Sequence, residues 1–440
     1  MAVKVYKFGG ALLNKIEGFE QLKKIICVGA SLVDAQNTEQ QQGIVPTKPQ
    51  LNDRSGVLHM PCNKSEEHMQ YATTIIVVVS ALEKTTSKLA NAAKTAELQD
   101  EEQAMIFINE IFDYHFTVAK KIISDEKNQQ QIISILEENK SKITKIIRGI
   151  SITKELTPRT RDLVLSFGEI LASNITTVFL NENFSKNDLN ITLFDIKNVL
   201  KTDSNYGAAI PNISETKEKI QELFLPVISE NQIVVTQGFI ASNQANETTT
   251  MGYESSNLTA TILAGLTNAN EFIIWSDTEG IRQFDPKIST VKTPKLVEKI
   301  DYDFAEFLAN CGLKLIHPPM IKYLKIFDLE VVYKSGFAPE GDFTVIGKNC
   351  NSSKKRFLIH SENLTLYYKN ARTEHLELEN LSSLTFIFSE ESEVLQLCSE
   401  CYKSNIKIYE IFINSIKKTA VILFKSDSKN NFLENCLQSF

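Results

Sequence analysis

Apolar and polar positions alternate from Ala2 to Tyr6, with valines at 3 and 5, and that period of two predicts a strand. The strand delivers Lys7 into Phe8-Gly9-Gly10, after which residues 11–26 are apolar at helical spacing. Residues 36–70 lose any period and are rich in Gln, Asn, Pro, Ser and Glu, which predicts a long, flexible surface insertion. A continuous β-branched run at 73–82 reads as a strand buried on both faces. Residues 104–123 and 131–147 are helical by their three-and-four spacing. Thr157 is placed as the N-cap and Pro158 as the first residue of a further helix, which carries Glu169 inside an otherwise apolar stretch. Strands follow at 191–196, 231–240 and 271–275, with a polar loop at 241–250 and helices starting near 257 and at 302. Past 350 the rhythm shortens to strands near 357–366, 384–388, 406–412 and 418–424 around a helix at 391–403. The pattern therefore predicts an α/β domain over 1–350 and a smaller α+β domain over 351–440.

Composition narrows the function. With 42% hydrophobic and 23% charged residues, the chain of 440 residues is ordinary for a globular protein. A formal charge of −7, with no Lys/Arg block, argues against nucleic acid as a partner. The most apolar run falls short of the roughly 20 residues of a membrane span, and no basic-then-apolar leader opens the chain, so a cytoplasmic location is the expectation. Seven scattered cysteines suit reduced thiols. Cys398 and Cys401 read as thiols on a helix face, and no metal cluster is expected.

The candidate chemistry is phosphate binding. A strand, a glycine turn and a helix place bare backbone N–H groups beside Lys7, although on its own a Gly-Gly between strand and helix is more often plain turn chemistry. At the end of the second strand, Ser80, Thr85 and Thr86 precede a helix, either as caps or as ligand hydroxyls. Glu169 must face a site or find a partner, because a buried lone carboxylate is costly.

In order along the chain stand Lys7-Phe8-Gly9-Gly10, Val78-Val79-Ser80-Ala81, Ser166-Phe167-Gly168-Glu169, Phe194-Asp195-Ile196, Lys201-Thr202-Asp203 and Tyr206-Gly207. Thr236-Gln237-Gly238, Thr250-Met251-Gly252, Trp275-Ser276-Asp277 with Gly280, Asp285-Pro286-Lys287 and Gly312 to Pro318 follow. This succession resembles the aspartate kinases of the amino-acid kinase superfamily, with a C-terminal ACT-like region. The resemblance implies a three-layer sandwich with a mainly parallel central sheet, and phosphorylation of the L-aspartate β-carboxylate by Mg-ATP. That reaction opens lysine, threonine and methionine biosynthesis. It implies that Lys7 neutralises the transferring phosphoryl group and that Gly9 and Gly10 admit the phosphates. Ser80 and Glu169 would hold aspartate. Ser276, Asp277, Arg282, Lys287 and Lys314 would line the nucleotide site. A homodimer through the C-terminal region is also implied. At two further family positions the chain differs: Tyr253 stands where an arginine clamps the substrate carboxylate, and Asn257 where a catalytic acidic residue is usual. Those substitutions open the alternative of a catalytically degenerate, nucleotide- or amino-acid-binding regulatory protein. Arg161, at i−8 from Glu169 on one helix face, is a candidate replacement for the clamp.

Overall fold

In the computed structural model, which describes residues 2–41, 73–184, 189–285, 294–313, 315–348, 350, 357–369, 375–387, 408–414 and 419–425, the alternating N-terminal run is β1 (Ala2–Phe8) and the β-branched run is β2 (Thr73–Val79). The chain divides into two compact units, Met1–Glu271 and Phe272–Phe440. Strands β3 (Ile191–Phe194), β4 (Ile233–Gln237), β2 and β1 of the first unit lie in that order, all parallel. Its helices are α1 (Gly10–Leu13), α2 (Ile16–Gln41), α3 (Thr85–Glu97), α4 (Glu101–Ile122), α5 (Glu126–Thr153), α6 (Pro158–Phe184), α7 (Ile213–Lys219), α8 (Leu225–Glu230) and α9 (Ser256–Leu266). A short hairpin pairs β5 (Ile240–Ser242) with β6 (Thr248–Thr250).

Alternation along β2 explains why all seven of its residues are buried. Thr74 donates its hydroxyl to the Ile228 carbonyl of α8 at 2.7 Å. Its neighbour Ile75 points the other way, to Gly29 of α2. Helices thus cover both faces of a parallel sheet. α6 lies on the α2 side, where the Phe19 and Phe179 rings meet edge to face at 5.4 Å. α6 is also long and apolar enough to cross a membrane, but most of it is buried inside the protein.

In the second unit, which holds all of β7 (Glu271–Ser276) but its first residue, β7 runs parallel to β9 (Val331–Ser335), β9 is antiparallel to β10 (Phe343–Ile346), and β10 is parallel to β8 (Lys299–Ile300). α10 (Tyr302–Asn310) and α11 (Pro318–Phe327) lie between β8 and β9 in the chain. A separate antiparallel ladder has the order β11 (Phe357–Lys369), β12 (His375–Ile387), β14 (Thr419–Lys425), β13 (Ile408–Asn414).

Four expectations change. The helix over 11–26 is broken: α1 is a single turn, and α2 starts afresh at Ile16. Gly18 is the cause, since a Cβ there would sit 1.8 Å from the Leu12 carbonyl oxygen, so the bare Cα lets the chain fold back. The irregular segment expected from 36 begins as helix, because α2 continues through Gln41; residues 42–70 lie outside the described residues. The polar loop at 241–250 is the β5–β6 hairpin, favoured by β-branched Thr248, Thr249 and Thr250. β12 begins nine residues before the expected 384, the alternation from His375 to Leu381 having been missed, and the helix expected at 391–403 lies outside the described residues.

Candidate active site

Three chain turns meet at the carboxyl edge of the first sheet. Ser80 N–H bonds the Phe8 carbonyl at 3.3 Å, carrying the ladder one residue beyond the strands. Gly10 then lies so close to the second turn that a Cβ would be 2.1 Å from the Ala81 oxygen, so no side chain fits. A Cβ on Gly168 would be 2.8 Å from the Ala81 Cβ. Gly10 therefore packs on the Ala81 backbone and Gly168 on the Ala81 methyl group, and this packing sets Glu169 beside the strand ends.

Glu169 is only 3% exposed. Its Oε1 accepts the Ala81 N–H at 3.1 Å, while the buried Oε2 has no hydrogen-bond partner among the described residues. Burial pushes the carboxyl up to about 8, against the opposing pull of the Ala81 N–H and the Lys7 charge. Lys7, partly accessible but enclosed by protein on most sides, is pushed down to about 8 by the same desolvation, with the charges of Glu254 and Glu169 resisting. A lysine ammonium and a carboxyl that burial keeps protonated at neutral pH thus face a poorly hydrated space, the carboxyl with an unused oxygen. An orphaned buried oxygen is costly unless a ligand donates to it.

The folded protein holds the Glu169 proton up to about pH 8, against an ordinary value of 4.5. Stability contributed by this site is therefore fully present below about 4.5 and is lost as pH rises through about 8. We expect the melting temperature of the ligand-free protein to fall over that window, and Glu169→Gln to flatten the fall. A Glu169→Gln profile that tracks wild type would count against the assignment.

The third wall of the site is built by Asp162, one face and two turns before Glu169 on α6. Asp162 is fully buried; its Oδ2 accepts the N–H of Gly207 at 2.8 Å and of Thr250 at 2.7 Å, and its Oδ1 accepts the Thr250 hydroxyl at 2.8 Å. Burial pushes its carboxyl up while these three bonds pull it down. They hold together the Tyr206–Gly207 turn (Gly207 φ +85°) and the turn after β6 (Gly252 φ +91°), where only glycine is at ease. Sequence reasoning passed over Asp162; its i, i+7 relation to Glu169 was the available signal. Arg161 sits beside it, its Nη1 3.8 Å from where a Gly207 Cβ would be, and forms no salt bridge among the described residues.

The loop leading into α9 completes the site. Gly238, in the turn after β4, approaches it so closely that a Cβ would be 2.4 Å from Ser256 Cβ. Phe239 N–H bonds Thr259 Oγ1 at 3.2 Å, fixing that turn on the first helical turns. Ser255 caps α9 with its hydroxyl buried and without a hydrogen-bond partner among the described residues. Asn257 is 7% exposed in the first turn, Tyr253 is 55% exposed, and Glu254 is held at φ +65°. α9 has no acidic residue in its first turn, so its N-terminal N–H groups and Ser255 present an anion-accepting end.

Of the expected nucleotide residues, Gly9 and Gly10 are in the first unit. Gly9 caps α1, whose single turn gives little helix dipole. Ser276, Asp277 and Arg282 are in the second unit. There Ser276 exchanges hydrogen bonds with Thr278, and Arg282 holds Glu279, the Pro294 carbonyl and Asp342. Lys287 and Lys314 lie outside the described residues. Among the described residues no group of three His, Cys, Asp or Glu is placed to hold a metal ion.

Comparison with known proteins bears on this geometry. The sequence model of the amino acid kinase family matches residues 2–332. Lysine-sensitive aspartokinase 3 of Escherichia coli (strain K12) is 27% identical over 318 residues, 72% of this chain and 65% of that protein. The bifunctional aspartokinase/homoserine dehydrogenase of Buchnera aphidicola is 30% identical over 230 residues, 52% of this chain and 27% of that protein. The chain thus spans less than two thirds of the length of each of these relatives. Among solved structures, E. coli aspartokinase III in complex with aspartate and ADP superposes with a TM-score of 0.73 at 18% identity, covering 100% of both chains. The lysine- and aspartate-bound form gives 0.60 at 21% identity, covering 98% of this chain and 81% of that one.

Proposed function

Because this chain belongs to the amino acid kinase family, we propose that it is an aspartate kinase, moving the γ-phosphoryl group of ATP to the β-carboxylate of L-aspartate to give 4-phospho-L-aspartate. The observation that carries this reading is the unused, buried Oε2 of Glu169 close enough to Lys7 for the two charges to interact. A substrate ammonium group satisfies that oxygen, and binding it favours the ionised carboxylate. Lys7 then compensates charge on the phosphoryl oxygens, while the Gly9–Gly10 backbone, Ser80 and the Ser255 end of α9 border them. The attacking group is a carboxylate, already ionised, so the transfer needs positioning and charge compensation rather than a base. Mg2+ would be held chiefly by the ATP phosphates and water. The fold shared with aspartokinase III in complex with aspartate and ADP supports the same pair of ligands.

In this reading residues 1–350 form the kinase domain, with Ser276, Asp277, Arg282, Lys287 and Lys314 on its nucleotide side. Residues 351–440 are an ACT-like regulatory domain, and a dimer forms through it. Arg161 supplies the substrate carboxylate with a guanidinium, since Tyr253 offers none and its side chain is mostly in solvent. Incubation with Mg-ATP, L-aspartate and hydroxylamine should yield aspartyl hydroxamate; none at high enzyme concentration sinks the reading. Arg161→Ala should raise the aspartate KM about 10- to 100-fold, the value of one charge-assisted bond, with kcat little changed. An unchanged KM removes Arg161 from the site.

One observation favours the second reading, a degenerate member acting as a nucleotide- or amino-acid-binding regulatory protein. Glu254 is the largest charge influence on Lys7, the residue that this reading sets against the phosphoryl oxygens. Binding of ATP and aspartate without hydroxamate would establish that alternative.

A further inference from the structure

We propose that a cavity on a different face of α6 from Glu169 is a second small-molecule site, shaped for a zwitterion with an apolar body, such as a free apolar α-amino acid. The cavity measures about 390 Å3, is open on one side, and is bordered by α5, α6, the carboxyl ends of β3 and β4, and the residues after β3. α6 contributes Leu163, Phe167, Ile170 and Asn174, at i, i+4, i+7 and i+11 on one face. Asp162 and Glu169 share a face turned roughly 100° away, so the two sites are separate. The proposal does not depend on the phosphoryl-transfer reading.

Each wall has a different task. Leu163, Phe167, Ile170 and Leu193 are the apolar part of the lining. Gln237 and Ser166 shape the floor with their polar atoms already committed. Gln237 Nε2 donates to Ser173 Oγ at 2.9 Å and its Oε1 accepts the Ile196 N–H at 3.0 Å, while Ser166 Oγ donates to the Leu163 carbonyl at 2.7 Å. Asn139 and Asn174 differ. Each spends its Nδ2 on the carbonyl one turn back, Ile135 and Ile170, both at 2.8 Å. Their Oδ1 atoms accept no hydrogen bond among the described residues and are left for a ligand donor. Lys142 and Lys197 bring two ammonium groups, the first 2.7 Å from Glu138 and the second 3.5 Å from Asp195.

Two cations, each beside a carboxylate, and two amide oxygens next to an apolar lining set the ligand's chemistry. A fatty acid would answer the lysines and leave the amide oxygens unmet. An alkylamine would do the reverse. A molecule carrying both an anion and a donor on an apolar body meets all three requirements, and the volume is at the small end for ligand sites.

The test is titration calorimetry on the full chain with three probes: L-leucine, 4-methylpentanoate and 3-methylbutylamine. L-Leucine is expected to bind wild type at least tenfold tighter than either analogue. Asn174→Leu and Lys197→Met should each weaken it at least tenfold in proteins whose near-UV circular dichroism is native, while Lys7→Met leaves it unchanged. Absence of leucine binding, equal binding of the three probes, binding undiminished by either cavity substitution, or loss on Lys7→Met would each overturn the proposal.

Discussion

Lys7→Met is expected to lower kcat for phosphoryl transfer by about 10²–10³, while the melting temperature at pH 7 does not fall. The two halves of this prediction come from one cause. Desolvation depresses the Lys7 ammonium to about 8, so the folded chain pays for keeping it charged below that pH. Its penalty is relieved only as pH rises from about 8 toward the ordinary 10.5, where the unfolded chain holds more protons than the folded one. A charge kept at such a cost is of use only if a ligand of opposite sign arrives. Methionine keeps most of the apolar stem and removes the ammonium, so it separates the ligand role from packing. Hydroxamate formation with saturating ATP and aspartate measures the first half, and thermal unfolding of the ligand-free protein measures the second. Activity retained within tenfold would remove Lys7 from the phosphoryl path. A melting temperature lower by several degrees would show that Lys7 serves the fold.

How far the sequence announced this site depends on the kind of physics involved. The strands were legible because β1 alternates and β2 is uniformly β-branched, and both signals are local. The start of α6 was legible too: Thr157 Oγ1 accepts the Thr160 N–H at 3.1 Å, the cap expected of a Thr-Pro pair. Glu169 was legible as a carboxylate in an apolar run, because burying it unpaired violates a general cost. Gly10 was legible only in part. It was read as opening backbone amides to phosphate, whereas its tightest demand is the close approach of the Ala81 carbonyl, a contact across some seventy residues that no local pattern records. The break between α1 and α2 escaped for a related reason, since Gly18 inside a helical period reads as a tolerated defect until Leu12 is seen folded against it.

Tyr253 shows what position in a motif leaves unsaid. Its place in the motif made it a substrate residue, yet its side chain is 55% exposed, and the neighbour whose charge reaches Lys7 is Glu254. The backbone supplies the reason. Gly252 and Glu254 both have positive φ, so the loop reverses twice within three residues and turns the intervening side chain outward. Motif order located the loop; the left-handed residues decided which side chain it offers.

Asp162→Ala is expected to cost about 3 kcal/mol of stability and to disable the site without touching a ligand. One carboxylate satisfies two backbone N–H groups and one hydroxyl, drawn from turns more than forty residues apart in sequence, and it is fully buried. Removing it leaves three donors facing a cavity, each of which costs part of its desolvation even after water enters. Because Gly207 and Gly252 are both held in the left-handed region, the turns lose their anchor together, and Arg161, packed against Gly207, loses its position with them. The expected signature is therefore local as well as global. Amide exchange should accelerate most at Gly207 and Thr250, the aspartate KM should rise, and Asp162→Asn, which keeps an acceptor for the backbone pair, should recover most of the lost stability. Uniform acceleration of exchange across α6, with no excess at those two amides, would mean that Asp162 supports the core as a whole and that the two turns are held by other contacts.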